Sequence, residues 1–135
     1  MATFTLKKFI TLFAAYNSVN QTSVNEMGTF IFTRPWDVVE KTDNYTLVLD
    51  DAGRSIQMNK GSGVALTVPP NASVAFPIGT QIRVEQTGAG ALTIAAGAGV
   101  TINVKNTLVV SARYGVVYLV KRATNTWTLS GDTTA

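Results

Sequence analysis

The side chains able to do chemistry are few, and their types limit what that chemistry could be. The 135 residues include neither His nor Cys. This removes Ser-His-Asp and Cys-His triads, thiolate metal sites and the usual general base near neutral pH. Three constellations remain. Gly88-Ala89-Gly90 and Gly97-Ala98-Gly99 lie in an uncharged run, GAGALTIAAGAGVTI (88–102), and glycine-rich runs can cradle phosphate. A phosphate cradle needs G-x-G-x-x-G opening a helix, or a P-loop ending in Gly-Lys-Ser/Thr. Here Ala91, Leu92 and Thr93 follow the first pair of glycines, and Gly-Lys-Ser/Thr occurs nowhere, so the glycines read as turn residues that tolerate positive φ. Asp50-Asp51 could begin a calcium loop, but such a loop places carboxylates at alternate positions. Gly53 and Arg54 break that pattern, leaving a turn whose carboxylates bond nearby amides. Nothing in the spacing of Asp37, Glu40, Asp43, Glu85 and Asp132 pairs two of them across a cleft for glycoside hydrolysis. Among the aromatics, Trp127 and Tyr118 occupy inward strand positions and are read as core. Trp36 and Tyr114 lie beside turns or strand ends and stay as candidate glycan contacts. No catalytic residue, metal ligand or cofactor site is assigned.

The elements that must carry these residues are strands. Charged residues are 14% of the chain against about 25% in ordinary globular domains. Nineteen Thr and sixteen Val give a β-type composition solvated by hydroxyls and amides. From Tyr45 on, polar and apolar residues alternate, with turn signals about every 8–12 residues. The inward positions run Tyr45, Leu47 and Leu49; Ile56 and Met58; Val64, Leu66 and Val68; Ile82 and Val84; Leu92 and Ile94; Val100, Ile102 and Val104; Trp127 and Leu129. Arg83 and Glu85 point out, and Val116 to Val120, apolar on both faces, reads as a central strand. The glycine-rich run becomes a hairpin, and the small side chains of Ala89, Ala91 and Ala95 suggest a close approach by another sheet or another copy of the chain. No helical crossover separates the strands and no long repeat is read. The expected fold is therefore all-β, an antiparallel, jelly-roll-like β-sandwich of about nine short strands over residues 45–135.

Residues 1–44 read as an N-terminal segment with a lead-in strand. Leu6, Phe9, Ile10 and Phe13 fall at helical spacing, which fits a short amphipathic helix, while Phe4, Leu6 and Lys8 alternate as an extended arm would. Lys7-Lys8 precede an apolar run of seven residues containing Thr11, and without a small-residue cleavage site it is read as uncleaved. No stretch approaches the ~20 apolar residues of a membrane-spanning helix. The net charge is +3, but Lys and Arg are scattered where a nucleic-acid footprint would cluster them, so neither nucleic acid nor membrane is an expected partner.

The order of segments from Tyr45 to Asp132 resembles a known module. The marks are the DAG turn (51–53), TVPPN (67–71), FPIGT (76–80), QTGAG (86–90), GAGV (97–100) and the ending around Lys121, Trp127 and Asp132. Together they resemble a β-rich module of tailed-bacteriophage virion proteins that occurs in head decoration or head-fibre proteins and in tail fibres. The resemblance covers about two-thirds of the chain and leaves out residues 1–44. It implies a non-enzymatic structural role on the outer surface of a virion, made in the bacterial host cytoplasm, as a homo-oligomer and often a trimer. A tail fibre needs a shaft, so one compact domain behind a short segment is expected to be a capsid decoration or head-fibre protein, with a tail-fibre or glycan-binding protein as the alternative. In that reading Leu6, Phe9, Ile10 and Phe13 anchor the chain to the major capsid protein, and Ala89, Ala91 and Ala95 meet another copy.

Overall fold

The computed structural model describes residues 36–135, and these are nearly all β with a single 3-10 turn at Leu49–Asp51. Nine strands form two sheets: β1 (Val38–Lys41), β2 (Tyr45–Thr46), β3 (Ser55–Met58), β4 (Val64–Val68), β5 (Gln81–Gln86), β6 (Leu92–Ala96), β7 (Thr101–Val104), β8 (Val116–Ala123) and β9 (Thr126–Gly131). The chain alternates between sheets, so β1, β3 and β5 stack in parallel in one and β2, β4 and β6 stack in parallel in the other. This is a solenoid-like arrangement of three coils. After β6 the chain returns to the first sheet, where the antiparallel hairpin β8–β9 sits between β5 and β7, giving the order β1-β3-β5-β8-β9-β7.

The all-β expectation holds among these residues, but the antiparallel sandwich does not, because five of the seven strand pairings are parallel. Alternation fixes which side chains face inward but not which strand lies alongside, and a short polar connection serves a hairpin or a sheet-to-sheet arc equally well. The glycine-rich run is thus an arc: β6 and β7 belong to different sheets. A repeat is also present. Ser55 lies opposite Arg83 and Val64 opposite Leu92, so SIQMNKGSGVALTV and RVEQTGAGALTIAA stack at a constant offset of twenty-eight residues. The solenoid begins at β1, inside the stretch read as the N-terminal segment; four residues carrying Glu40 and Lys41 show too little alternation to announce a strand.

The core lies between the two sheets. Ile56, Met58, Val64, Leu66, Val68, Ile82, Val84, Leu92, Ile94, Trp127 and Leu129 are buried as the alternation requires, joined by Leu47, Phe76, Val110, Val117 and Leu119. Val100, Ile102 and Val104 pack against them, half-buried. Two inward assignments fail. Leu49 is 54% exposed because the chain turns there, and Tyr118 is 41% exposed. In β8, Val117, Leu119 and Lys121 take the inward phase, leaving Tyr118 on the outer face. The free edge of β6 is covered by residues 108–110: Val109 bridges Thr93, the Ile94 N–H donates to the Leu108 carbonyl and the Val110 N–H to that of Leu92. Covering an edge in this way blocks sheet extension by other chains.

Candidate functional site

The glycine arc shows what the uncharged run does. Residues 87–91 lie on residues 59–63 of the coil beneath, and the backbones bond directly. The N–H groups of Thr87 and Gly88 donate to the Met58 carbonyl at 3.0 and 3.1 Å, Gly90 donates to Lys60 at 2.9 Å, and Val64 donates to Ala91 at 2.9 Å. A Cβ on Gly88 would lie 2.2 Å from Lys60 backbone atoms, and one on Gly90 1.9 Å from the Ser62 carbonyl oxygen. Glycine is required here by close approach, since neither residue has positive φ. Their N–H groups are spent on the coil below and cannot hold phosphate. The Gln86 side chain supports the arc from inside, accepting from the Leu92 N–H at 3.2 Å. In the second pair only Gly99, at φ 77°, matches the turn reading; a Cβ on Gly97 would lie 2.7 Å from the Val68 carbonyl oxygen, so glycine is required there by close approach.

The first coil has a shorter arc, three residues between Lys41 and Tyr45 against seven between Met58 and Leu66. Asn44 Oδ1 accepts the Ala65 N–H at 2.9 Å and supplies the bond the missing backbone would have made. Lys60 reaches Asp43 Oδ1 at 2.5 Å, and this bond, with that from the Asn44 N–H and the charge of Lys60, holds the Asp43 carboxyl below its usual range.

Six of the described acidic residues, Asp43 among them, have structural partners. Asp51 is buried and accepts the Val48 N–H at 2.8 Å and the Tyr45 hydroxyl at 2.9 Å, as expected of a turn carboxylate. Burial, reinforced by the negative Asp51 partner, pushes the Tyr45 phenol up to about 12. Asp37 pairs with Arg54 at 2.9 Å, Glu85 with Arg83 at 3.0 Å, Glu40 accepts from Asn59, and Asp132 accepts the Val116 N–H at 3.0 Å. Among the described residues no group of three or more Asp or Glu could hold a metal ion, and no helix is long and apolar enough to cross a membrane.

Trp36 and Tyr114 are 46% and 63% exposed but do not share a groove. Trp36 precedes Val38, which lies across Ser55 from Arg83, whereas the Tyr114 N–H donates to Gln86 at the far end of β5. At about 3.3 Å per residue the two are about 15 Å apart along the strands alone. Tyr114 holds φ at 68°, in the left-handed region, with the Arg113 guanidinium 4.9 Å from its ring centroid and the Arg113 Nε donating to the Thr87 carbonyl.

Ala91 and Ala95 lie on the outward phase of β6 and its lead-in, with Thr93 between them. Across the sheet, Thr93 is opposite Ala65, and Ala95 is opposite Thr67, which is opposite Thr46. The outer face of this sheet is thus built of Ala and Thr without a charge, and Ala89 is exposed on the adjoining arc. Leu6, Phe9, Ile10 and Phe13 lie outside the described residues.

Sequence reasoning missed one group. Lys121, on the inward phase of β8, is 2% exposed; its Nζ donates to Asn71 Oδ1 and to the Phe76 carbonyl, each at 2.6 Å. The same alternation that places Leu119 inward could have placed Lys121 there. Comparison of the chain with protein-family models, with curated proteins and with solved structures found no match.

Proposed function

We propose that this chain is a non-enzymatic structural protein of a tailed-bacteriophage virion, a capsid decoration or head-fibre protein on the outer surface of the particle. The module resemblance supports the virion assignment. The observation that carries the mechanical role is the three-coil β-domain with its flat Ala and Thr face on β2-β4-β6, because a small uncharged face lets two backbones approach closely without desolvating ions. Copies associate through this face and through Ala89, Ala91 and Ala95, as a trimer. Leu6, Phe9, Ile10 and Phe13 dock on the major capsid protein, since apolar residues recurring at helical spacing suit such an anchor.

The tail-fibre alternative draws on one observation, the exposed Tyr114 in a left-handed backbone, since strain of this kind collects at functional positions. Imaging of intact particles separates the two readings: copies spread over the shell support decoration, and a ring at the tail overturns it in favour of receptor binding. Sedimentation of the isolated protein tests the interface. The wild type should run as a trimer and Ala95→Arg as a folded monomer; a monomeric wild type removes the proposed contact.

A further inference from the structure

The buried Lys121 has no obvious place in a mechanical domain. Its Nζ meets one carboxamide oxygen and one backbone carbonyl, and the ion pairs of the described residues all lie elsewhere. Burying an ammonium without a counter-ion is unfavourable, so an apolar side chain of similar length would pack there at less cost. The surroundings are also well fixed. Lys121 lies opposite Trp127 in the β8–β9 ladder, and Phe76 packs edge-on against Trp127 with ring centroids 5.5 Å apart. Asn71 follows Pro69-Pro70, and its N–H donates to Asn125 Oδ1 in the β8–β9 turn at 2.9 Å. An amine and a primary carboxamide are therefore held in contact, both backbones restrained, with the lysine buried beside an aromatic wall and the carboxamide half-buried.

We infer that Lys121 and Asn71 are joined by an intramolecular isopeptide bond. The Lys121 Nζ bonds to the Asn71 Cγ, the Cγ–Nδ2 bond breaks, and Nδ2 leaves as ammonia. The ammonia takes up the proton that the lysine ammonium sheds, so the products are one amide and one ammonium ion. Nothing is oxidised or reduced and no co-reactant is needed. Holding the two groups in contact replaces a bimolecular encounter with a unimolecular one, an advantage of about 10⁵ M or more in effective concentration. The Phe76 carbonyl, by accepting one N–H, orients the nitrogen. Among the described residues no carboxylate touches the pair to relay the proton, so the reaction is slow and the linked fraction grows over hours to days. The product ties the 69–80 connection to β8, closes a long loop of the chain and fixes the third coil against the hairpin. That suits a domain that resists mechanical load, and the chemistry does not depend on which particle carries it.

Intact mass spectrometry of the purified wild-type chain tests this directly. The linked species is about 17 Da lighter than the sequence mass, the mass of one ammonia. After denaturation, trypsin should fail to cut after Lys121 and should release a branched peptide joining Lys121 to Asn71. Lys121→Met and Asn71→Ser should keep their full masses. Three outcomes overturn the inference. One is full mass after about a week at about 37 °C. Another is loss of ammonia with Lys121 still cleavable, which marks a succinimide at Asn71-Ala72. The third is a gain of about 1 Da at Asn71, which marks hydrolysis. Because the wild type alone decides, a variant that fails to fold leaves the test intact.

Discussion

Gly90 is the position where a single methyl group tests the stacked arcs most sharply. In Gly90→Ala the new Cβ would stand 1.9 Å from the Ser62 carbonyl oxygen, whereas real Cβ atoms essentially never come within 3.0 Å of a neighbour. The two arcs must therefore part by about 1 Å or more. That shift takes the 2.9 Å bonds from Gly90 to Lys60 and from Val64 to Ala91 beyond useful length. Two lost backbone bonds cost about 1–1.5 kcal/mol each, and forced backbone displacement adds about 1–3 kcal/mol. The expected loss is about 3–6 kcal/mol, or roughly 15–30 °C in Tm for a domain of this size. Gly61→Ala is the control. It lies in the lower arc, has ordinary φ and no atom within 4 Å of the added Cβ, so it should change stability by less than about 1 kcal/mol, on the stabilising side. Urea unfolding followed by tryptophan fluorescence reads both, since Trp127 is buried. A Gly90→Ala protein within about 0.5 kcal/mol of wild type would refute the close stacking of 87–91 on 59–63.

Further expectations follow from the buried groups. Tyr45 has its phenol pushed up to about 12 from an ordinary 10, so the folded state holds that proton more tightly than the unfolded chain. The resulting stability is fully present below pH 10 and is lost as pH rises through 12; Tyr45→Phe should remove this alkaline dependence and the phenolate absorbance step near 12, and an unchanged profile would contradict the Tyr45–Asp51 contact. Trp127→Ala should cost about 3–5 kcal/mol by emptying the space against Phe76, measured by urea unfolding followed by far-UV circular dichroism, since the variant lacks the buried fluorophore. Tyr114→Gly should hold or raise Tm, because glycine relieves the left-handed backbone; a marked fall would mean that the ring makes contacts beyond its Arg113 neighbour.

The inward rows of the strands are legible from alternation alone, and five of the seven are buried as read, with the Val100, Ile102 and Val104 row half-buried and the first row broken at Leu49. Tyr118 was misjudged because Val116 to Val120 is apolar on both faces, so the phase had to be taken from Lys121, a residue not expected inside. Strand partnership was harder to read. Leu92 and Ile94 present the same inward row whether the neighbour is Val64 and Leu66 from the preceding coil or Val100 and Ile102 from the following strand. The informative signal was the recurrence of two inward rows at one spacing, Ile56 and Met58 then Val64 and Leu66, against Val84 and Gln86 then Leu92 and Ile94, while the glycines of the two arcs fall one position out of phase. Two stacked copies are too few for the eye to separate from a hairpin rhythm. Ala91 and Ala95 were recognisable as small outward residues, but their continuity with Ala65, Thr67 and Thr46 appears only once the parallel register is known. Trp36 and Tyr114 looked alike in sequence because both flank strand ends, and only the register puts them at opposite ends of β5.

Solution NMR distance measurements across the glycine-rich run address the central claim most directly. The stacked arrangement predicts backbone contacts twenty-eight residues apart, Lys60 with Gly88 and Ser62 with Gly90, and a parallel pattern joining Val64–Val68 to Leu92–Ala96. An antiparallel pattern joining Leu92–Ala96 to Thr101–Val104, with those contacts missing, would contradict it.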